Sequence, residues 1–366
     1  MKQEFDLKQI EKPLLSWFAG HARVLPWREE PTPYRVWVSE IMLQQTRVEA
    51  VKPYFERFTK ELPDVAALAA CSEERLLKLW EGLGYYNRVR NMQTAARTVM
   101  EEYDGRLPAD YEKLLTLKGI GSYTAGAVAS IAYGIPVPAV DGNVLRVIMR
   151  VTADDSDIMK QSVKSRVEKE LLAVIPKDAA GAFNQALMEL GATVCLPNGE
   201  PHCAQCPWES FCEARKQGIW QTLPVKSRAK PRRIEEKTVL IIRDGERIVL
   251  HKRGVKGLLA GLYEFPNLAG HLSEEEVLSY VREQDLVPVH IEKLEDAKHI
   301  FSHIEWHMTG YMVRVSELET EQSGLLFVEV EDSEKRYPIP AAFAAYTKYM
   351  NLRLGNDRFP ADTDPQ

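Results

Sequence analysis

The spacing of apolar residues changes character once along this 366-residue chain, and that change limits the folds open to it. From about residue 13 to 218 the apolar positions recur at three- and four-residue intervals, as in 74–79 and 163–172, which is the pattern of amphipathic helices. Beyond a stretch containing proline, lysine and arginine at 223–233, the pattern turns to short β-rich runs, 239–242 and 248–250. Arg243-Asp244-Gly245-Glu246 joins these two runs, and Asp-Gly favours a hairpin there. Residues 273–284 read as one helix among further strands, with Ser273 as N-cap and Glu276 at the capping-box position. At 366 residues with a hydrophobic content of 45%, the chain is long enough for two ordinary cores. The expectation is a multi-domain protein: an all-α unit over 1–217, a linker over 218–236, an α+β unit over 237–355, and a polar, unordered tail over 356–366.

The formal net charge of −6 argues against bulk coating of nucleic acid, because neutralising phosphates takes clustered Lys and Arg. The charge is uneven, however. Lys226, Arg228, Lys230, Arg232 and Arg233 form a basic strip that reads equally as a solvated linker or a phosphate contact, and Arg88 and Arg90 sit beside Tyr85-Tyr86. The opening Met1-Lys2-Gln3-Glu4 carries an acid where a signal peptide needs an apolar run, and no stretch nears the roughly 18 apolar residues of a membrane span, so a cytoplasmic location is expected. Cys71 stands alone and reads as an ordinary half-buried thiol. Cys195, Cys203, Cys206 and Cys212 crowd one short segment, and in a reducing compartment such a group points to a metal or cluster site rather than to disulfides.

Three segments carry candidate chemistry. Leu117-Lys118-Gly119-Ile120-Gly121-Ser122-Tyr123 lies between two helical runs, so that 114–133 has the form of a helix-hairpin-helix. Glycines at 119 and 121 permit a tight turn whose N–H groups can face a phosphate, although an ordinary αα-hairpin has the same signature. Pro138-Ala139-Val140-Asp141-Gly142-Asn143-Val144 leads into a helix over 145–151 with Asp141 at its start. There the dipole and free N–H groups favour the ionised carboxylate, whether it acts as a simple cap or faces a developing positive charge. In Trp37-Val38-Ser39-Glu40-Ile41-Met42-Leu43-Gln44-Gln45-Thr46, one helical face is expected to hold Trp37, Glu40, Gln44 and Arg47. Glu40 is either a solvent-facing acid or a buried carboxyl with the raised pKa of a general acid.

Together with Leu25-Pro26-Trp27-Arg28, Gly82-Leu83-Gly84-Tyr85-Tyr86, Phe183-Asn184-Gln185-Ala186 and the four cysteines, these segments occur in an order that resembles the helix-hairpin-helix glycosylases related to endonuclease III. Within that superfamily the chain is most similar to the MutY-type adenine DNA glycosylases of base-excision repair. The resemblance implies removal of adenine mispaired with 8-oxoguanine or guanine in double-stranded DNA, by a monomer. Bifunctional relatives carry a hairpin lysine that forms a Schiff base and cuts the strand. Tyr123 stands at that place here, and a phenol cannot form an imine, so hydrolysis without strand cleavage is expected. Lys118, where the family usually has proline, leaves a lyase route as the alternative.

The resemblance further implies a flipped adenine held by Arg23, Trp27, Leu43, Gln185 and Glu40. Glu40 would protonate the base, Asp141 would stabilise the oxocarbenium-like sugar, and Tyr123 and Asn143 would hold the geometry. Gln45 and Tyr85 match positions that insert into the base stack, and Arg28, Thr46, Arg88, Gly119 and Gly121 are further implied DNA contacts. Spacing alone leaves the cysteines open to zinc or to iron–sulfur, and the family pattern selects a [4Fe-4S] cluster, although the first gap is one residue longer than usual. The C-terminal half resembles a Nudix-like domain through Gly257-Leu258-Leu259-Ala260-Gly261-Leu262-Tyr263-Glu264-Phe265-Pro266, without the glutamates that make such domains hydrolases. Phe301, Ser302 and His303 match its 8-oxoguanine-reading loop. The competing readings are an oxidised-pyrimidine glycosylase/lyase, a thymine-mismatch glycosylase, a non-catalytic iron–sulfur DNA-binding protein and a Nudix hydrolase.

Overall fold

A computed structural model describes residues 5–227, 231–245, 247–318 and 324–355. Met1 to Glu4, Arg228 and Lys230 of the basic strip, Glu246 of the expected hairpin and the tail 356–366 lie outside the described residues. The described residues of Met1–Ala70 and Asn91–Arg228 form one compact unit, and those of Cys71–Arg90 and Ala229–Gln366 form a second. No described helix is long and apolar enough to cross a membrane.

The first unit is helical, with α1 (Glu11–His21), α2 (Pro26–Glu29), α3 (Pro33–Leu43), α4 (Val48–Glu61) and α5 (Val65–Ala70) before the division. After α6 (Glu73–Leu79), which belongs to the second unit, come α7 (Asn87–Glu102), α8 (Tyr111–Thr116), α9 (Ser122–Ala127), α10 (Gly142–Thr152), α11 (Gln161–Leu172), α12 (Ala180–Thr193) and α13 (Glu213–Lys216). Local chemistry sets the starts of these helices: the Thr32 hydroxyl accepts the Arg35 N–H with Pro33 in the first position of α3, and Asp110 caps α8. The expected helix-hairpin-helix is α8–α9. Only one of its glycines needs glycine's freedom, since Gly119 has φ +81° whereas Gly121 lies in ordinary extended backbone. A π-helical stretch over Val128–Ala132 continues α9, and α12 packs against it, α1 and α10. A Cβ on Gly126 would lie 2.1 Å from the Pro138 carbonyl, so that glycine lets α9 rest on the backbone leading to Asp141.

The second unit is one eight-stranded sheet carrying helices. Its strands are β1 (Arg233–Arg243), β2 (Arg247–Lys252), β3 (Tyr263–Glu264), β4 (Asn267–Ala269), β5 (Pro288–Lys293), β6 (Ala297–Ile300), β7 (Ile304–Val315) and β8 (Leu325–Glu329). The main order is β3-β2-β1-β7-β5, and β1 and β7 run parallel with Val239 opposite Gly310. β1 begins at Arg233, so strand extends into the stretch read as linker from sequence. Alternate residues serve two cores: Val239 and Ile241 join Trp306 and Phe343, while Leu240 and Ile242 join Val277 and Val281 of α14 (Glu274–Glu283). The expected capping box of α14 is present, with Ser273 and Glu276 bonding reciprocally.

Cys71–Arg90 is helical in sequence character yet packs with the sheet unit, and a buried ion pair accounts for it. Lys78 Nζ donates to both Glu81 carboxylate oxygens, at 2.8 and 2.9 Å, and to the Tyr337 carbonyl at 3.0 Å. The same carboxylate accepts the Ile339 N–H at 2.8 Å and the Gly355 N–H at 3.2 Å. Both side chains are almost wholly buried, so their desolvation is offset only while every partner is in place. We expect Glu81→Ala to destabilise this unit by about 3–5 kcal/mol, seen as a lower denaturant midpoint. An unchanged midpoint would mean that the pair contributes nothing net.

Candidate active site

A solvent-open cleft of about 1000 Å³ in the helical unit gathers most of the residues singled out from sequence. Arg23, Trp27, Arg28, Glu40, Leu43, Gln45, Thr46, Tyr123, Asp141, Asn143 and Gln185 all line it. Tyr85, Arg88, Gly119, Gly121, Phe301, Ser302, His303 and the cysteines do not.

Glu40 sits on the last turn of α3 and is 5% exposed, so it is not a solvent-facing acid. The Tyr123 hydroxyl, from the first turn of α9, donates to its carboxylate and lies 3.7 Å from the Met188 sulfur. Burial lifts Glu40 to about 7; the Tyr123 hydrogen bond and the Arg28 charge pull it down, while Asp141 pushes it up. The expected face of Trp37, Glu40, Gln44 and Arg47 is not a single helical face. α3 stops at Leu43, Gln44 caps it, and Arg47 is already the N-cap of α4.

Asp141 caps α10 as expected, with its Oδ1 accepting the Val144 N–H at 2.8 Å. Its Oδ2 accepts from the Asn143 amide at 2.8 Å. The expectation of a carboxylate held low by the helix start is corrected, because enclosure by protein outweighs these bonds and moves Asp141 up from the ordinary value. Asn143 Oδ1 in turn accepts from Arg146 at 2.9 Å, and Arg146 also donates to the Gly191 carbonyl at 2.7 Å and the Cys195 carbonyl at 2.8 Å. Hydrogen bonds therefore run continuously from the Asp141 carboxylate to the backbone of the first clustered cysteine.

Two arginines are not where sequence placed them. Arg28, expected on DNA, is paired with Glu189 at 2.9 Å in the cleft wall, and Arg23 pairs with the same carboxylate at 2.7 Å. Arg88 donates to the Leu83 and Gly84 carbonyls at 3.0 and 3.1 Å beneath the Tyr85 ring, and burial lowers it to about 10. It braces the turn and does not present a free cation to a phosphate. Gln45 (φ 60°) and the half-exposed Tyr85 (φ 47°) occupy left-handed backbone. Phe301 stacks edge-on against Trp306 and His299 and is half-buried, whereas Ser302 and His303 are exposed between β6 and β7.

Sequence reasoning missed Glu189 and the role of Asn184. The fully buried Asn184 side chain accepts the Ala139 N–H and donates to Ser130 and Val137, tying α12 to the loop before Asp141. An acid in the apolar run Ala186-Leu187-Met188-Glu189-Leu190, one turn beyond Gln185, was the signal available for Glu189.

The four cysteines line one recess with Arg150, Arg215 and Trp220, and Arg150 Nη1 lies 3.4 Å from Cys195 Sγ. Among the described residues no three His, Cys, Asp or Glu side chains converge on a single metal ion. Burial pushes the Cys206 thiol up to about 12.

Residues 38–177 match the family described as HhH-GPD superfamily base excision DNA repair protein, and residues 238–349 match the NUDIX domain family. The class of the molecule is thereby a base-excision repair protein with an appended Nudix-like domain. Two solved structures share the helical fold: a thermostable thymine-DNA glycosylase (TM-score 0.50, 26% identity, covering 56% of this chain and 94% of that one) and endonuclease III in a non-covalent DNA complex (TM-score 0.50, 26% identity, 59% and 99%). The adenine DNA glycosylase of Homo sapiens is 37% identical over 80% of this chain, which spans 64% of that relative's length. Those of Mus musculus and of Buchnera aphidicola from Acyrthosiphon pisum are 34% and 31% identical, with this chain covering 69% and 85% of their lengths. The chain belongs to the adenine DNA glycosylases.

The geometry makes a direct test of the Glu40 environment. Tyr123→Phe removes a bond that favours the carboxylate, so the Glu40 pKa should rise from about 7, measured by NMR titration of its carboxyl carbon. A fall would show that the phenol is not the donor.

Proposed function

We propose that this chain excises adenine lying opposite 8-oxoguanine or guanine in duplex DNA, as a monomer, and leaves the strand uncut. The observation that carries the reading is the pairing of two unlike acids in one cleft: Glu40, buried and hydrogen-bonded by Tyr123, and Asp141, capped at a helix start beside Asn143. A carboxyl near 7 holds a proton at neutral pH and can deliver it to the ring nitrogen of a flipped adenine. The C–N bond then breaks with its electron pair leaving on the base. Asp141, ionised, faces the cationic sugar, and water adds to the anomeric carbon. Arg23, Trp27, Leu43 and Gln185 supply the wall for the base.

Strand cleavage through an imine needs a free amine at the sugar. Lys118 is exposed and outside the cleft lining, and Lys164, on the lining, pairs with Glu168 at 3.7 Å. Ser302 and His303 are exposed beside the half-buried Phe301, and this exposure supports a role for them in recognising the opposite base. Gln45 and Tyr85 would fill the stack after flipping. Cys195, Cys203, Cys206 and Cys212 would hold a [4Fe-4S] cluster. Four thiols around one recess with two cationic neighbours fit the all-cysteine ligand set and the negative charge of such a cluster. When bound, the cluster supplies covalent anchorage for the 195–212 loop.

Single-turnover release from duplexes carrying A opposite 8-oxoguanine, A opposite G, or T opposite G tests the assignment. We expect adenine release that vanishes in Glu40→Gln, strand breaks only after alkali, and a rate that falls as pH rises through about 7, where Glu40 loses its proton. Thymine release, or breaks without alkali, would place the chain on another glycosylase branch. For the cysteines, Cys206→Ser should lower bound iron and bleach the visible absorbance of purified protein. Zinc in the intact protein, without iron, would refute the cluster.

A further inference from the structure

Glu189 is a buried acid of the cleft that the reaction as described does not use. It lies on α12 with 1% of its side chain exposed, and a lone carboxylate in such a place would be costly. Its Oε1 accepts the Arg23 backbone N–H at 3.0 Å and Arg23 Nε at 2.7 Å, while Oε2 accepts Arg23 Nη2 at 3.0 Å and Arg28 Nη2 at 2.9 Å. The other Arg28 nitrogen, Nη1, donates to the Arg23 carbonyl at 3.0 Å, so the three side chains form one closed unit. Both arginines line the cleft, and the Arg28 charge reaches Glu40, where it favours the ionised form.

We propose that Glu189 is a positioning and charge-balancing residue: it fixes Arg23 and Arg28 in the cleft wall and offsets part of the positive charge that Arg28 presents to the general acid Glu40. The other charged groups around Glu40 do not supply that balance. Tyr123 from α9 is a neutral donor, and Asp141 at the start of α10 must stay ionised for the sugar. Arg47 and Glu49, at the start of α4, also line the cleft, but the Glu49 carboxylate pairs with Lys52 at 2.9 Å, and Lys164 of α11 is matched by Glu168. Among the described residues, Glu189 is the carboxylate that bonds both Arg23 and Arg28. The inference rests on the assignment of Glu40 as the proton donor in adenine release.

The test is the pH profile of single-turnover adenine release from an A-opposite-8-oxoguanine duplex by the full chain. Glu189→Gln keeps the shape and removes the charge; the alkaline limb should then move about one pH unit toward acid, because an unbalanced Arg28 cation stabilises the Glu40 carboxylate. Arg28→Gln should move the limb the opposite way, and this variant keeps the buried Glu189–Arg23 pair if Glu189→Gln fails to fold. The double variant should return the limb close to its wild-type position, since both charges are gone. A role confined to packing would slow release in Glu189→Gln with the limb unmoved, and that outcome, or a limb that shifts identically in all three variants, overturns the proposal. Failure of the underlying assignment reads differently, as a Glu40→Gln enzyme that keeps the wild-type rate and limb.

Discussion

The hydrogen bond from Tyr123 to the buried carboxyl of Glu40 is the constraint around which the helical unit is arranged. A carboxyl in that position is stable only if it stays protonated or finds a donor, and the structure supplies both conditions. α3 delivers a buried Glu40 to the cleft, and α9 must arrive at hydrogen-bonding distance to bring the phenol. That approach depends on Gly126, whose missing Cβ lets α9 lie on the 138–139 backbone, and on Asn184, which ties the same backbone to α12. The loop so pinned is the one that presents Asp141. Glu40 and Asp141 are thus positioned by one set of packing contacts.

Much of this was legible in the sequence because it rests on local rules. Asp141 as an N-cap, the turn at Gly119 and the capping box of Ser273 and Glu276 each need only a few neighbouring residues, and each is present. Long-range pairing was not legible. Glu189 meets Arg23 and Arg28 more than 160 positions away, and an acid inside an apolar run can hint at burial without naming such distant partners. Arg88 and Arg28 looked like phosphate ligands because a sequence records a cation but not the carbonyls or carboxylates already engaged with it.

The sign of the Asp141 shift has the same origin. Sequence shows the helix start, which favours the anion, and cannot show how much protein closes over it. Desolvation acts on the whole charge, whereas the dipole and two hydrogen bonds act on part of it, so enclosure wins and the pKa rises. An aspartate so placed is a stronger partner for a cation than a solvated one, because the field it exerts is weakly screened.

Cys71–Arg90 shows why a helical pattern does not by itself assign a segment to a helical unit. α6 has an amphipathic face, but the groups that satisfy Lys78 and Glu81 are the Tyr337 carbonyl and the N–H groups of Ile339 and Gly355, and Tyr263 adds a hydroxyl to Glu74 at 2.6 Å. An ion pair buried to this degree tolerates one set of partners, because any other leaves a charge without hydrogen bonds. Polar specificity thus joins the burial of Leu76, Leu77 and Trp80 in holding the segment. It carries with it the turn of Tyr85, held in left-handed backbone and braced by Arg88. That aromatic and the loop of Phe301, Ser302 and His303 thus belong to one compact unit, while Glu40, Asp141 and their neighbours belong to the other.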